Sequence, residues 1–545
     1  MKRTNFTPSK TKLALTLGMI LSSFLAQADE VTNWNYYSLL AVKGATSFNA
    51  GVAGIAQNSN VSTRILAIES RAVFDAVNAV NHFSKKSYYY SNSSPLSGVT
   101  AVSTQVAAAQ AAHDVLAAEL PNTSAWTATR SWLDAQLAAD LTSLGATASD
   151  PGIVVGQAAA AAAVAARAHD FAQVRSTYTP STNLSVNASN AVAPNAIGNP
   201  GLGLWRPNNG GPSNPAANVI DPVTGAPTGF DAGGNIQAAA AIDFNWKNVT
   251  PFSLTTHEKQ ELVANVPAAL DLSGEEYAQE LSYVQTQGAT SANPGSRTND
   301  QLLQALYYKQ DAELHVNDAA RQASAAKKLT VNQNAQLFAA LNNALADSRI
   351  ATFQAKYDMD FWRPITAINA DSEGKVSSYV WQPLATTPAH PSSPAGHSAT
   401  VAAGTEILRA FFQTDSILPG NAGVTLTSLP WLVGTNNGTG KLQTPIGDQD
   451  ATTRNVISYS QLQLENGESR LYLGVHFGND NYQGQFLGLA VADEILYQQT
   501  DPAVVGLKAF QGNHKVANHH NLRNLLVNDS ANSGFFGLQA AITHD

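Results

Sequence analysis

Apolar residues recur at helical spacing through most of the chain. In residues 63–80, "TRILAIESRAVFDAVNAV", they fall three and four apart, which predicts one helix with an apolar face. Residues 101–172 are rich in Ala and low in Gly and Pro, and predict two or three helices. Helical patterning returns at 255–287, 298–324 and 331–361. The alternation that marks half-buried strands is scarce. Between these blocks, residues 176–250 turn rich in Pro, Asn, Gly and Ser, as in "NPGLGLWRPNNGGPSNP". Such a stretch is either an exposed excursion or the lining of a site. The pattern divides the chain into a helical region at 29–175, a connection at 176–250 and a second helical region at 251–545. There is no short internal repeat.

Composition narrows the class. The chain has 545 residues, 44% apolar and 13% charged, which is enough apolar material for a sizeable core. Its formal net charge is -9 and it has no dense Lys/Arg run, so no nucleic-acid partner is expected. Lys2, Arg3, Lys10 and Lys12, the apolar stretch "LALTLGMILSSFL" and the small residues "AQA" at 26–28 form the pattern of a cleaved secretory signal peptide spanning residues 1–28. The apolar stretch is too short for a stable span, so no membrane attachment is expected after cleavage; an uncleaved anchor is the alternative. Cleavage removes four cations and no acid, taking the charge from -9 to -13. The expected location is periplasmic or extracellular. The absence of cysteine excludes disulfides and thiolate ligands, so a metal centre must rest on His, Asp, Glu, Lys or Arg.

Three segments carry candidate chemistry. In "KYDMDFWRP" (356–364), Lys356 and Arg363 are seven apart, so on one helix they lie about 20° apart around the axis. Pro364 predicts that this helix stops at Arg363. Two aligned cations suit an anion; a solvated face is the alternative. In "HPSSPAGHS" (390–398), Pro391 and Pro394 stiffen the entry to a helix, and Gly396 lets backbone approach closely. The free N–H groups at that helix start favour an anion, and His397 sits where it could exchange a proton with it. An ordinary capping histidine is the alternative. In "SRLYLGVHFGND" (469–480), Arg470 offers a planar fork for two oxygens. His476 and Asp480 are four apart, so the carboxylate could orient the imidazole. Arg470 and His476 cannot share a helical face, which requires a turn near Gly474. A surface Arg beside an ordinary His–Asp pair is the alternative.

In this order, a Lys-x6-Arg-Pro element, a Pro-x-Gly-His turn and a Ser-Arg-x5-His-x3-Asp element resemble the signature shared by vanadium-dependent haloperoxidases and the type 2 phosphatidic acid phosphatase superfamily. The chain length, "FWRP", "SRAVFDAVNAV" (70–80) and the "GLWRP…NWKNVTPF" connection (203–252) are more similar to the haloperoxidase branch. The resemblance implies an all-α fold, two four-helix-bundle-like halves with a long irregular insertion. It implies vanadate as cofactor, with His476 as the metal ligand and Lys356, Arg363, Arg470 and the Gly396 N–H on its oxygens. His397 would be the acid/base. Asp311 stands where the family places an acid that pairs with the second arginine; an ordinary surface Asp is the alternative. His390 would lie beside the oxyanion, where histidine is the habit of bromoperoxidases, so bromide or iodide is the favoured halide. Hydrogen peroxide and halide are the implied partners, with a small organic acceptor and a homodimer as open options.

One position departs from the pattern. The family has Ser before Gly-His, whereas this chain has Ala395. A hydroxyl donor to the oxyanion is lost, a bond typically worth about 1.5–3 kcal/mol. Ser392, Ser393 and Ser398 are candidate substitutes. Two further readings therefore stand beside the haloperoxidase. One is an acid phosphatase-like hydrolase working through phospho-His476, and the other is a catalytically silent anion-binding helical protein.

Overall fold

The computed structural model describes residues 29–48, 50–52, 55–96, 102–172, 202–205, 241–290, 295–372, 374, 380–429, 441–444, 447–450 and 452–510. Residues 1–28, the expected signal peptide, and most of the 176–250 connection lie outside the described residues. The first helical region contains α1 (Glu30–Val42), α2 (Ser59–Val80), α3 (Thr104–Glu119), α4 (Thr127–Ser143) and α5 (Pro151–Arg167). The second contains α6 (Thr256–Ala264), α7 (Glu275–Gln287), α8 (Asn299–Tyr307), α9 (Ala312–Lys327), α10 (Val331–Met359), α11 (Pro364–Asn369), α12 (Gly396–Phe412), α13 (Tyr459–Tyr472) and α14 (Gly478–Gln498). The protein is thus all-α in character, as the patterning predicts. Strands occur as short two-stranded antiparallel ribbons: β1 (Ala45–Ser47) with β2 (Ala50–Gly51), β3 (Val424–Thr427) with β6 (Thr453–Val456), and β4 (Lys441–Thr444) with β5 (Gly447–Asp450).

Helix starts follow local chemistry. Thr255, Thr298 and Thr330 open α6, α8 and α10 with reciprocal capping boxes to Glu258, Gln301 and Gln333, each pairing two otherwise orphaned donors. Asp150 caps α5 immediately before Pro151, which tolerates the first helical position.

The 29-residue helix α10 ties the fold together. It is buried along most of its length and packs on α2 of the first region and on α12 and α14 of the second. One hydrophobic core runs through both regions, from Val31 to Val504. A buried ladder of amides crosses it. Asn35 donates to Asn317 (2.8 Å), Asn317 to Asn342 (3.0 Å) and Asn342 to Ser70 (2.9 Å), joining α1, α9, α10 and α2. Asp347 of α10 accepts the backbone amides of Phe252, Ser253 and Leu254 at 2.5, 2.8 and 2.9 Å, fixing the "TPF" segment to the same helix.

The described part of the connection is a buried anchor. Trp205 is fully buried against Tyr357, its amide bonds the Asp360 carbonyl, and the Trp362 amide bonds the Gly203 carbonyl. This part of the connection is therefore not an exposed excursion: the ring fills space behind the end of α10. Arg206 lies outside the described residues.

Helices α12 and α14 approach to backbone contact. A Cβ on Gly484 would collide with the Ala395 carbonyl, and one on Gly488 with the Ala399 carbonyl. Glycines four apart on α14 thus let the start of α12 settle against it. Gly488→Val is expected to lower the free energy of unfolding by about 1–3 kcal/mol, read by urea denaturation. Wild-type stability in this variant would refute the close-packing account.

Candidate active site

The three sequence segments converge, though one does so by another route than its spacing suggests. Lys356 sits in the last turn of α10, which ends at Met359, with Asp360 as cap in the left-handed region (φ 50°). Arg363 then follows in extended conformation and caps α11, whose first residue is Pro364. Lys356 and Arg363 therefore do not share one helix ending at Arg363. The Asp360 cap and the extended step to Arg363 turn both cations inward instead.

Both cations grip the loop that precedes α12. Lys356 Nζ donates to the Pro391 and Ser392 carbonyls at 2.9 and 2.8 Å. Arg363 donates through Nε to the His390 carbonyl (2.9 Å) and through Nη1 to the Val475 carbonyl (2.7 Å). Its Nη1 also lies 3.1 Å from His476 Nε2, and its Nη2 lies 3.0 Å from His390 Nδ1. A guanidinium only donates, so both ring nitrogens are acceptors and carry no proton. His390 Nδ1 is also 3.1 Å from the Pro391 carbonyl, but it cannot donate there while accepting from Arg363. The His390 ring packs 5.1 Å from that of Phe353, which is buried among core residues.

The turn required near Gly474 is present. Helix α13 ends at Tyr472, Gly474 takes φ +75°, and the Val475 amide returns to the Arg470 carbonyl. Arg470 is held by Ser469 Oγ (3.0 Å from Nε) and by the Tyr308 carbonyl. His476 then sits just before α14, in which Asp480 occupies the first turn. Asp480 Oδ2 accepts from the Phe477 amide (3.0 Å), Ser392 Oγ (2.5 Å) and His476 Nδ1 (3.1 Å). One carboxylate thereby caps the helix, anchors the loop and sets the tautomer of His476, with Nδ1 protonated and the Nε2 lone pair outward. His397, in the first turn of α12, is part-buried and bonds the Gln310 carbonyl through Nε2 (3.0 Å), which leaves Nδ1 as the base. Gly396 is the first residue of the same helix.

Two expectations need revision. Asp311 does not pair with Arg470: its ion pair is with Lys43 (2.5 Å), which Glu313 also approaches at 3.0 Å. Helix α9 begins at Ala312, and its capping residue Asp311 leans toward α1 rather than into the cage, acting on Arg470 only through its field. Two of the three candidate hydroxyls are already committed and do not replace the one missing at Ala395. Ser392 is engaged by Asp480 and Ser393 by Gln483, whereas Ser398, whose Cβ packs beside Gly484 of α14, has a buried hydroxyl with no partner among the described residues.

The sequence reading missed Arg349. It stands seven residues before Lys356 on α10, and its guanidinium lies against Gly396. The same seven-residue spacing that was sought forward from Lys356 would have found it looking backward.

The electrostatics are those of an anion cage. Lys43, Arg64, Arg71, Arg167 and Arg409 are buried and each has an acid within 4 Å. Arg349, Lys356, Arg363 and Arg470 are equally buried, yet among the described residues no carboxylate lies within that distance of any of them. Outside the cage, Lys259 donates to the Lys247 carbonyl. Burial, reinforced by Arg363, pushes Lys356 well below the usual lysine range. Burial also brings Arg363 and Arg470 down to about 9. His476 is held far below its ordinary value by burial and by Arg363 and Lys356, His390 by burial, Lys356 and Arg363, and His397 by burial, Arg470 and Arg349. Burial raises Asp480, opposed by the Ser392 hydroxyl and the Phe477 amide. The cage thus combines concentrated positive charge, neutral imidazoles and a helix start, which suits a small multivalent oxyanion.

The fold that holds this cage is that of a helical-bundle protein, and comparison with known proteins gives its relatives. Residues 336–502 match the family model for the VCPO second helical-bundle domain. The chain is 26% identical over 171 residues to the vanadium chloroperoxidase of Curvularia inaequalis, a match that covers 27% of this chain and 28% of that protein's length. The fold resembles a holo-type bacterial vanadium-dependent chloroperoxidase (TM-score 0.56, 17% identity, 89% of this chain and 98% of that one). It also resembles a bacterial vanadium-dependent iodoperoxidase (TM-score 0.55, 16% identity, 89% and 96%). The resemblance to vanadium-dependent haloperoxidases is borne out by the family match over the site-bearing segment and by the fold over most of the chain.

An anion in the cage would raise the pKa of Lys356 back toward 10.5, its unperturbed value. Between the depressed and restored values, the bound form holds a proton that the free form has shed. Binding therefore takes up protons, and affinity falls as pH rises. Calorimetric titration with inorganic phosphate from about pH 7 to about pH 10 is expected to show weakening affinity with net proton uptake. A pH-independent affinity would contradict this charge state.

Proposed function

We propose that the protein is a vanadium-dependent haloperoxidase, exported from the cytoplasm, that oxidises halide with hydrogen peroxide. One observation carries the reading: buried cations that have no carboxylate within 4 Å among the described residues surround a neutral imidazole, His476, whose unprotonated Nε2 faces Arg363. Leaving several charges uncompensated in a buried site costs several kcal/mol per ion, and a bound oxyanion offsets that cost. The donor set fits vanadate, with nitrogen from His476 as ligand and Lys356, Arg363, Arg470 and the Gly396 amide for its oxygens. When bound, vanadate acts as a Lewis acid that makes a peroxide oxygen electrophilic toward halide without itself changing oxidation state.

The chain's own groups do the rest. Asp480 keeps the His476 proton on Nδ1, so that Nε2 stays unprotonated and able to ligate in place of the bond it accepts from Arg363. Lys356 and Arg363 are fixed by loop carbonyls and need no reorganisation as charge develops, which is the main advantage of such preorganised sites. Overall, peroxide, halide and one proton give hypohalous acid and water. His397 supplies and recovers that proton at Nδ1, since its Nε2 is committed to Gln310. His390 lies beside Arg363 at the edge of the cage, and its polar ring supports bromide or iodide as substrate. Ala395 brings no hydroxyl to the anion.

The same cage could take a phosphate ester, so the two chemistries are tested together. Bromination of a dione reporter is expected to require both peroxide and added vanadate and to be competed by phosphate. His476→Ala is expected to abolish it, and Lys356→Ala to cost about 100-fold in rate. Turnover of p-nitrophenyl phosphate that vanadate inhibits, with no bromination, would replace this reading with the hydrolase. Neither activity would leave an anion-binding protein without catalysis.

A further inference from the structure

We propose that Arg349 is a further oxyanion-binding residue, supplying from α10 the donor that Ala395 cannot supply from the loop. The inference rests on the oxyanion cage of the proposed function and concerns a residue outside the three sequence segments.

Arg349 and Lys356 are seven apart on α10, so they project from nearly the same face. Arg349 is 6% exposed. Its Nε donates to Asn60 Oδ1 of α2 at 2.6 Å, and its guanidinium lies 5.1 Å from the Phe353 ring. These contacts fix the plane of the fork and leave Nη1 and Nη2 with no acceptor among the described residues. The nearest acids act on it only at a distance, and Asp311 and Glu313 are both engaged by Lys43.

Its aim is set by Gly396. A Cβ at that position would collide with Arg349 Nη1. The free end of the fork therefore lies against the first residue of α12, a 17-residue helix whose opening amides already favour negative charge. Arg349 also bears electrostatically on Lys356, His390 and His397, which places it among the cage groups. Ser392 and Ser393 are engaged by Asp480 and Gln483, as described above. An unpartnered fork thus stands beside the position from which a serine hydroxyl would have reached the anion. A charged fork contributes more than a hydroxyl, and it matches two oxygens of a tetrahedral anion at once. The ligand class is a tetrahedral oxyanion, vanadate or phosphate.

The test is calorimetric titration of the full chain with inorganic phosphate and, separately, with vanadate. Arg349→Gln is expected to weaken both at least about tenfold, and adding Ala395→Ser to that variant is expected to recover part of the loss. A purely structural arginine pinning α10 to α2 through Asn60 would lower the melting temperature and leave the dissociation constants unchanged. Should Arg349→Gln fail to fold, Arg349→Lys carries the test: it keeps the charge, loses the fork, and is expected to bind about threefold or more weakly. Unchanged affinity in a folded Arg349 variant, with normal binding by the wild type, overturns this inference alone. Failure of the wild type to bind either anion overturns it together with the proposed function.

Discussion

Four cations are buried at one place with no carboxylate within 4 Å of any of them among the described residues, and the surrounding structure is what makes that tolerable. Lys356 and Arg363 each spend two donors on carbonyls of the 390–392 and 475 backbone. Carbonyl dipoles solvate the charge only partly, so the positive potential persists. Elsewhere in the same core the opposite solution is used. Arg64 is pinned by Glu119 and Asp170, and Arg409 by Glu406 and Asp415. The contrast shows that the chain can pair its buried cations, so the open charge at the cage is a local property of the site.

Rigidity follows from how few elements build the cage. Helix α10 supplies Lys356 and Arg349 and is also the helix on which both bundles pack. Helices α12 and α14 meet through Gly484 and Gly488, which brings the Ala395–His397 turn against Asp480. The Ala395 amide bonds the Asp480 carbonyl while the Asp480 side chain holds Ser392 and His476. A single residue at the start of α14 thus couples the loop, the ligand imidazole and the helix packing. Small displacements there would be felt at every donor, a sensitivity expected of preorganised anion sites.

Much of this was legible from residue spacing, and the exceptions have physical causes. His476 and Asp480 four apart, with a turn at Gly474, gave the correct neighbourhood because the helix start is a local event. Lys356 and Arg363 were placed together for a reason that does not hold: the left-handed cap at Asp360 ends α10 four residues early, and nothing in an Asp demands that conformation. Asp311 was misjudged because its partner, Lys43, lies 268 residues away on another element, and no local pattern reports such a pairing. The Trp205 anchor was missed for the same reason. Arg349 carried a local signal, but its meaning depends on Gly396 meeting it across the fold. The short ribbons at β3–β6 and β4–β5 lack strong alternation and depend on partners rather than on pattern.

The central claim is that these side chains form one positively charged cage for a single tetrahedral anion. Equilibrium dialysis of the purified protein against vanadate, with vanadium counted by elemental analysis, tests it most directly. The account predicts one vanadium per chain, held against a large excess of chloride and released by phosphate. Vanadium in no fixed proportion to protein, or loss of it to chloride as readily as to phosphate, would contradict the account.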